Sequence, residues 1–481
     1  MGKIDRIRRS LHSGGSSRVL ATRAVNGQFA RATSICPMSD SPPTRPTFCE
    51  ALRFWLKLGL ISFGGPTGQI SIMHEELVEK KRWIGEERFL HALNYCMLLP
   101  GPEAQQLATY IGWLLHRTWG GIAAGVLFVL PSAVLLFLLS WLYMAGRDVG
   151  WIGAMFYGLK PAVLAVVAVA VLRIGKKVLK NPVMWAIAGS AFIAIFFLQA
   201  PFPLIVGLAA LTGWIGGKVR RDLFLVVSSK PADAAANAVD QRIDADRTKP
   251  RLSSAISVVI VGLVIWWLPI LGLVMGMGWD STHAQEGLFF SKAAMVTFGG
   301  AYAVLPYVAQ QAVERYSWLS PSQMIDGLGM AETTPGPLIM VLQFVGFVAA
   351  WQNPPLGWSP LAAAALGAAV TTWVTFVPCF MWIFLGAPYI EKLRGNEQIA
   401  CALSAVTAAV VGVVLNLGVW FALHALLPNV WVKSGADWHV DFFVLVAAVI
   451  SFVLMQWRKW QMIPVVAVCA VAGIGYRMLI S

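Results

Sequence analysis

Two short motifs that interrupt helices lie inside apolar stretches of this sequence, and each occurs twice. Phe63-Gly64-Gly65 recurs as Phe298-Gly299-Gly300, and Pro100-Gly101-Pro102 recurs as Pro335-Gly336-Pro337. A helix that starts after such a break presents unpaired N–H groups and about half a positive charge. Proline suits its first turn, and glycine lets the backbone approach a ligand closely. Four such ends together supply about two positive charges, which the C-termini of the preceding helices partly offset. This arrangement predicts a site for a tetrahedral dianion.

Polar side chains that can donate hydrogen bonds to an oxyanion flank these breaks. Ser71, Thr297, Tyr302 and Gln343 are among them. Two alternatives stay open: the glycine and proline motifs could be plain turns, and the glutamines could bond only between helices. The predicted substrate-binding residues are Lys57, Gly64, Gly65, Pro66, Thr67, Gln69, Asn94, Pro100, Gly101, Pro102, Gln105, Gln106, Lys292, Gly299, Gly300, Thr333, Thr334, Pro335, Gly336 and Pro337.

Four charged side chains lie close to the breaks in the sequence. Lys57 and Lys292 precede the two Phe-Gly-Gly motifs by about two helical turns. An ammonium group at that membrane depth is costly unless it has a function, although a long side chain can also snorkel to the interface. Glu103 and Glu332 flank the Pro-Gly-Pro motifs and are candidates for carrying a coupling proton, although their positions do not match each other.

The composition predicts a membrane protein. Of the 481 residues, 57% are hydrophobic and 13% are charged, whereas soluble domains have about 45–50% and about 25%. The formal charge of +13 comes from Lys and Arg in the loops between apolar stretches, a pattern typical of cytoplasmic loops and not of a nucleic-acid-binding face. The histidines show no metal-ligand spacing and no catalytic triad is visible, so we expect no metal, no cofactor and no enzymatic activity.

The whole pattern is duplicated. The two Phe-Gly-Gly motifs and the two Pro-Gly-Pro motifs are each separated by 235 residues, and so are Trp83 and Trp318. Lys57 and Glu79 recur at the same spacing. Agreement at this many positions indicates an internal repeat and predicts two homologous halves.

The repeat divides the chain into five segments. We predict a first repeat at 46–217 and a second repeat at 277–481. Between them lie a charged linker at 218–254, expected to be cytoplasmic, and one unpaired apolar span at 255–276. Residues 1–45 form a basic segment that we expect to be a disordered tail, with Met38 as an alternative start.

The loop charges of the two halves are opposed. The loop after the first Phe-Gly-Gly segment carries four Lys and Arg residues at 80–88, whereas its equivalent keeps only Arg315. Between the last two apolar stretches the asymmetry reverses, with Arg458 and Lys459 in the second half and no charge at 199–201. Because Lys and Arg favour the cytoplasmic side, the halves are predicted to be inverted, and the unpaired span supplies the inversion.

The segments beside the breaks are too short to cross a bilayer. Residues 88–99 and 103–115 would each form about 18 Å of helix, half of a hydrocarbon core of about 30 Å. The Phe-Gly-Gly segment splits similarly, near 52–63 and 66–80. We predict nine full spans and four re-entrant hairpins, whose open backbone must line protein or a water-filled cavity. The alternative is that some hairpins cross fully, giving up to thirteen spans.

The sequence resembles the chromate ion transporter family in its long, two-domain form. The similarity is strongest at 54–84, 89–121, 298–320 and 332–347, and extends over roughly 46–480. It implies an all-α polytopic protein of the bacterial inner membrane that exports chromate, gives chromate resistance and is driven by the proton-motive force. The second Pro-Gly-Pro lacks the Glu-Ala-Gln-Gln that follows the first, so the halves need not contribute equally.

Three alternatives to chromate export remain at this stage. Sulfate or another oxyanion could be the substrate, because sulfate is a tetrahedral dianion of similar size. The second alternative is a membrane enzyme acting on a lipid phosphate, which would need convergent acid, base or metal ligands. The third is a membrane scaffold that transports nothing, a role that would not explain why broken helices are duplicated. The expected partners are chromate or sulfate and the lipid bilayer, without nucleic acid. The oligomeric state, a homo-oligomer included, is left open.

Overall fold

The structure, a computed structural model, describes residues 46–63, 65–146, 149–224, 252–389, 397–427 and 440–480. The predicted tail, most of the predicted linker and Gly64 lie outside these residues. Within them, helices are the only regular secondary structure, and there are seventeen α-helices. The predicted all-α class is therefore confirmed.

The helices of the two halves follow the same order. The first half contains α1 (Phe48–Ile61), α2 (Gly65–His74, extended by the π-helical turn Glu75–Lys80), α3 (Glu86–Cys96), α4 (Glu103–Ala145), α5 (Gly150–Val178), α6 (Pro182–Phe196), α7 (Phe202–Val219) and the short α8 (Arg221–Phe224). The next helix, α9 (Leu252–Met277), contains the predicted unpaired span. The second half contains α10 (Thr282–Val296), α11 (Ala301–Ala309, extended by the π-helical turn Gln310–Arg315), α12 (Pro321–Thr333), α13 (Val341–Gln352, preceded by the 3₁₀ turn Leu338–Met340), α14 (Pro360–Gly386), α15 (Glu397–Leu426), α16 (Phe442–Gln456) and α17 (Met462–Ile480).

The repeat extends to unusual backbone conformations. The two π-helical turns Glu75–Lys80 and Gln310–Arg315 are separated by the same 235 residues as the motifs. Just after them, Arg82 and Ser317 both have positive φ, at 51° and 52°. Positive φ is uncommon for residues other than glycine, so its recurrence at matched positions indicates that both halves use one local fold.

α4 is a pair of helices that meet at a sharp bend. His116 (φ −133°) and Arg117 (φ 56°) leave the helical region. The stretch Glu103–His116 therefore corresponds to α13, and the remainder up to Ala145 corresponds to α14. In the second half the same junction is an open loop at 353–359.

The halves exchange their packing partners. α5 of the first half packs against α16 and α17 of the second, and the equivalent helix of the second half, α15, packs against α6 and α7 of the first. Each half therefore covers a central helix of the other. α13 lies deepest, since every residue from 338 to 350 is buried, whereas α9 buries only Trp266 and Ile270.

Local sequence signals explain where the helices begin and which face they bury. Thr47 caps α1 by accepting a hydrogen bond from the Glu50 amide at 3.3 Å, the usual role of a threonine before a helix. The buried residues of α1 include Phe54, Trp55 and Leu58, which recur every three or four positions and turn one apolar face toward α4.

The helices differ in whether their length suffices to cross a membrane. Within the described residues, seven helices are long and apolar enough to do so, which identifies a multi-pass membrane protein. α1 has 14 residues and α3 has 11, or about 21 Å and 16 Å of helix. Both are shorter than a hydrocarbon core of about 30 Å. The number of full spans and the inverted orientation stay predictions.

Labelling of single cysteines tests the inversion. Glu79 and Glu314 are equivalent and both exposed, so Glu79→Cys and Glu314→Cys, each in a cysteine-free background, present comparable sites. We expect a membrane-impermeant maleimide to reach them from opposite sides, with Ser229→Cys in the linker, which is predicted to be cytoplasmic, as the reference position. Labelling of both positions from one side would contradict the inversion.

Candidate functional site

The helices that precede the Phe-Gly-Gly motifs end in the same conformation. α1 ends at Ser62 (φ −81°, ψ 75°) and α10 ends at Thr297 (φ −79°, ψ 84°). Both hydroxyls donate back into their own helix at 2.6 Å, to the carbonyl oxygens of Leu58 and Ala293. In each case the following amide closes an inverse γ-turn. The two Phe-Gly-Gly helices therefore stop abruptly and free the carbonyl groups of Ser62 and Thr297.

These carbonyl groups are bound by the Pro-Gly-Pro glycines of the opposite half. The Gly101 amide donates to the Thr297 oxygen at 2.7 Å, and the Gly336 amide donates to the Ser62 oxygen at 2.7 Å. Exchanging the halves converts one bond into the other, which is the pattern of a two-fold arrangement. The four breaks predicted from the sequence therefore meet as two reciprocal pairs.

The Pro-Gly-Pro glycines are required by conformation and by packing. Gly101 has φ 124° and Gly336 has φ 105°. A Cβ atom on Gly101 would lie 2.6 Å from the Cys379 Sγ atom, and one on Gly336 would lie 2.5 Å from the Ser132 Cβ atom. Cys379 in α14 and Ser132 in α4 each follow the internal proline of their helix. Sequence reasoning missed both packing partners, although their position after a shared proline is a signal that could have found them.

The Phe-Gly-Gly glycines border open space instead. Among the described residues, a Cβ atom on Gly65 (φ 73°) or Gly300 (φ 95°) would meet no atom within 4 Å, and one on Gly299 (φ 79°) would touch Thr407 alone, at 3.9 Å. Gly65 is the first residue of α2 and Gly300 is the N-cap of α11. The starts of α2 and α11 are therefore less closely packed at their glycines than the Pro-Gly-Pro breaks are.

Gln69, Gln105 and Gln106 direct their amide groups to the protein. Gln69 is 1% exposed, and its Nε2 atom donates to the Gly336 oxygen at 2.5 Å, which ties α2 to the opposite Pro-Gly-Pro. Gln105 donates to the Thr109 hydroxyl at 3.1 Å and Gln106 to the Pro100 oxygen at 2.8 Å. Within the described residues, the Oε1 atoms of Gln105 and Gln106 are buried without a partner. Gln69 and Gln106 therefore bond to the backbone of the Pro-Gly-Pro motifs, and a role of the three glutamines in anion binding stays a prediction.

Several other predicted residues have either exposed side chains or hydroxyl groups that bond within their own helix. Lys57, Lys292 and Asn94 have exposed side chains. The Thr333 and Thr334 hydroxyls donate to carbonyl groups within α12. The remaining predicted residues Pro66, Pro100, Pro102, Pro335 and Pro337 flank the breaks, and the side chain of Thr67 is outside the described part of the structure.

The two candidate proton carriers occupy different surroundings. Glu332 is 5% exposed, and its Oε1 atom accepts a hydrogen bond from Tyr302, the second residue of α11. Glu103 is half-buried at the start of α4. Arg173 and Lys177, one turn apart on α5, are the cations within electrostatic range of Glu332 and Glu103 respectively. Both carboxyl groups therefore have a basic neighbour on α5, although they do not align in the repeat.

A duplicated all-α membrane protein whose interrupted helices meet at paired breaks has the architecture of a secondary transporter. The chain belongs to the chromate transporter family, whose description "Chromate transporter" matches residues 49–214 and 284–474.

Relatives of similar length support this assignment. The chain is 31% identical to a "Chromate transport protein" of Pseudomonas aeruginosa, over 80% of this chain and 83% of that protein. It is 26% identical to a "Chromate transport protein" of Cupriavidus metallidurans, over 92% and 97%, and 24% identical to an uncharacterised transporter of Methanocaldococcus jannaschii, over 89% and 94%. No solved structure matches the chain significantly.

Substitution of the Pro-Gly-Pro glycines tests the reciprocal pairing. Gly101→Ala and Gly336→Ala should each lower the melting temperature of the detergent-purified protein, because positive φ alone costs about 1–3 kcal/mol and each new Cβ atom clashes. Gly189→Ala is the control, since Gly189 is helical with open space beside it, and it should melt like the native protein.

A second substitution distinguishes the steric clash with Cys379 from the backbone strain caused by the positive φ of Gly101. Cys379→Ala removes the atom that the Gly101 methyl group would meet, so it should restore part of the stability lost in Gly101→Ala and none of that lost in Gly336→Ala. Equal rescue of both variants, or native melting of either single glycine variant, would show that the cross-half packing is wrong.

Proposed function

We propose that this protein exports chromate from the bacterial cytoplasm across the inner membrane, and thereby gives chromate resistance. The family and the names of the relatives supply the ion. The structural support is that α2 and α11 start at Gly65 and Gly300, where no described atom lies within 4 Å of a Cβ position, because a helix N-terminus with space beside it suits an oxyanion. Transport, and not catalysis, is the activity we assign to the site.

The site would hold its substrate by helix ends and not by fixed cations. Lys57 and Lys292 have exposed side chains, and no described atom lies beside the Cβ positions of Gly65 and Gly300 at the starts of α2 and α11. Partial charges of about half a unit at each helix end attract a dianion but do not trap it. A transporter needs this balance, because binding must permit both entry and release.

The reciprocal pairs suggest how access alternates. In the proposed arrangement the two halves face opposite sides of the membrane, with nine full spans, four re-entrant hairpins and the linker 218–254 in the cytoplasm. Equivalent conformations of the halves would then open the site to opposite sides in turn. The bonds from Gly101 to Thr297 and from Gly336 to Ser62 would form the fixed contact about which they rock.

The proton-motive force drives export in this proposal. A charge that crosses the membrane gains about 2.3 kcal/mol per 100 mV, so a dianion leaving a negatively charged cytoplasm gains about twice that value. The electrical component alone can therefore drive chromate outward. Glu103 and Glu332 stay candidates for a coupled proton.

Flux into inverted membrane vesicles tests the substrate and the driving force. Energised vesicles that contain the protein should accumulate chromate. Collapse of the potential with valinomycin and potassium should abolish accumulation, whereas collapse of the pH gradient with nigericin should leave most of it. Excess sulfate tests the alternative substrate. Absence of chromate accumulation would contradict the proposal, and accumulation of sulfate instead would favour the oxyanion alternative.

A matched pair of glycine variants tests the open amide ends. Gly300→Ala places a methyl group beside the start of α11 and should reduce flux at least about tenfold, the effect of losing about 1.4 kcal/mol of binding. Gly278→Ala introduces a comparable strain, since Gly278 has φ 87° with nothing within 4 Å, but it lies in the loop before α10. It should transport normally. Equal flux in both variants would show that Gly300 is not part of the binding site.

A further inference from the structure

A cluster of buried polar groups lies between α10 and α14, away from the residues predicted to bind substrate. Glu286 is 0% exposed, and neither of its carboxyl oxygens has a hydrogen-bond partner in the described structure. One turn earlier, the His283 Nε2 atom lies 2.9 Å from the Ala363 oxygen, while its Nδ1 atom has no partner in these residues. Burying an unpartnered carboxyl group is costly, and in a membrane segment such a group usually marks a function.

The first half supplies an internal control. At the spacing of 235 residues, Glu286 corresponds to Ala51 and His283 corresponds to Phe48. α1 and α10 occupy equivalent places in the two halves, and α1 forms with small and aromatic apolar residues at these positions. The fold therefore does not require the carboxyl group or the imidazole.

A polar row connects this cluster with a helix break. Gly367 of α14 lies against Glu286, because a Cβ atom there would be 3.0 Å from the Oε2 atom. Thr371, Thr375 and Cys379 follow at intervals of four residues on the same face, and all three are buried. Cys379 packs against Gly101 of the first Pro-Gly-Pro. The row thus runs from Glu286 to the paired breaks, over about 18 Å of helix.

This row is also absent from the first half. Aligned on the internal prolines of α4 and α14, Thr371 corresponds to Ala124 and Thr375 corresponds to Phe128. The Thr371 hydroxyl has no partner within the described residues, whereas the Thr375 hydroxyl donates to the Thr371 oxygen at 2.7 Å. In the second half, α10 and α14 therefore both carry buried polar groups where the first half has Phe48, Ala51, Ala124 and Phe128.

The surroundings of Glu286 contain few charges. α9, α13 and α14, which pack against α10, contain no Asp, Glu, Lys, Arg or His in their described ranges. The titratable groups on α10 and its neighbours are His283, Lys292, Tyr302, Tyr307, Glu314, Arg315 and Cys379, and Lys292 is exposed. Among the described residues, no Lys or Arg is within electrostatic range of Glu286, in contrast to Glu103 and Glu332, and the buried imidazole of His283 lies one turn earlier on α10. A carboxyl group without a cation is stable in such a place only when it carries a proton or binds a small cation.

We propose that Glu286 is a proton-binding site that is coupled to the anion at the helix breaks through the polar row of α14. The proposal rests on the proposed transport function and assigns a carboxyl group whose protonation sets the affinity for the anion, while the membrane potential stays the driving force. A charged Glu286 repels a dianion at the breaks, and if the row's length of about 18 Å is taken as their separation, at an effective dielectric near 20, this repulsion weakens anion binding about ten- to twentyfold. By linkage, anion binding then favours protonation of Glu286 by the same factor.

Chromate binding as a function of pH tests this coupling. Purified native protein and Glu286→Gln, which imitates the protonated carboxyl group, are compared at each pH from neutral to alkaline, because chromate itself titrates. As the pH rises, native protein should lose affinity about ten- to twentyfold relative to Glu286→Gln. Chromate should also cause proton uptake by weakly buffered native protein that is smaller with Glu286→Gln. Identical pH profiles and proton uptake in the two proteins would overturn the proposal.

Companion measurements identify the other outcomes. If Glu103→Gln or Glu332→Gln removes the pH dependence and Glu286→Gln does not, the coupling carboxyl group lies elsewhere and the proposal is wrong. A dependence on sodium in place of pH would identify a cation site and would also overturn it. If native vesicles show no chromate flux, the proposed function fails by itself, whatever Glu286 does.

A measurement on native protein covers the case in which Glu286→Gln does not insert. Dicyclohexylcarbodiimide is apolar and reacts with protonated carboxyl groups in membranes. Mass spectrometry should find its adduct on Glu286, with less adduct as the pH rises. Native protein without an adduct on Glu286 at any pH would contradict a proton site there.

Discussion

The structure depends on the need to pair backbone groups where helices are interrupted in a membrane. Hydrocarbon offers no hydrogen bonds, so an open backbone must be satisfied within the protein or by trapped water. Here the carbonyl groups released at Ser62 and Thr297 are bound by the amides of Gly336 and Gly101. These two bonds place the four breaks together, and they explain why the Pro-Gly-Pro motifs contain glycine.

Much of the fold could be predicted from the sequence because its signals are local. Apolar length, Gly and Pro gave the helices and their breaks to within a few residues, and the constant spacing gave the repeat. The partners across the breaks were not predicted. Cys379 and Ser132 share a position after the internal proline of their helices, but that they lie against Gly101 and Gly336 depends on how the two halves pack.

The side chains at the site show the same limit. Residue type suggested that Gln69 donates to an anion, but its amide donates to the Gly336 oxygen. Lys57 and Lys292 have exposed side chains. Their spacing of about two helical turns from the motif does not determine whether a side chain points toward the site or away from it. Glu286 was not singled out, because an isolated carboxyl group in an apolar stretch has no motif. Comparison with Ala51, its equivalent in the first half, was the available signal.

α5 and α15 each pack against two helices of the opposite half, and this has a consequence for the segment that links the halves. Each half provides the groove in which the central helix of the other is seated, so association is encoded in the surfaces and not in the tether that joins them. The tether then contributes chiefly effective concentration. A chain severed between 225 and 251 would need only sufficient expression of both fragments, inserted in their proper orientations, for the pieces to find each other in the bilayer.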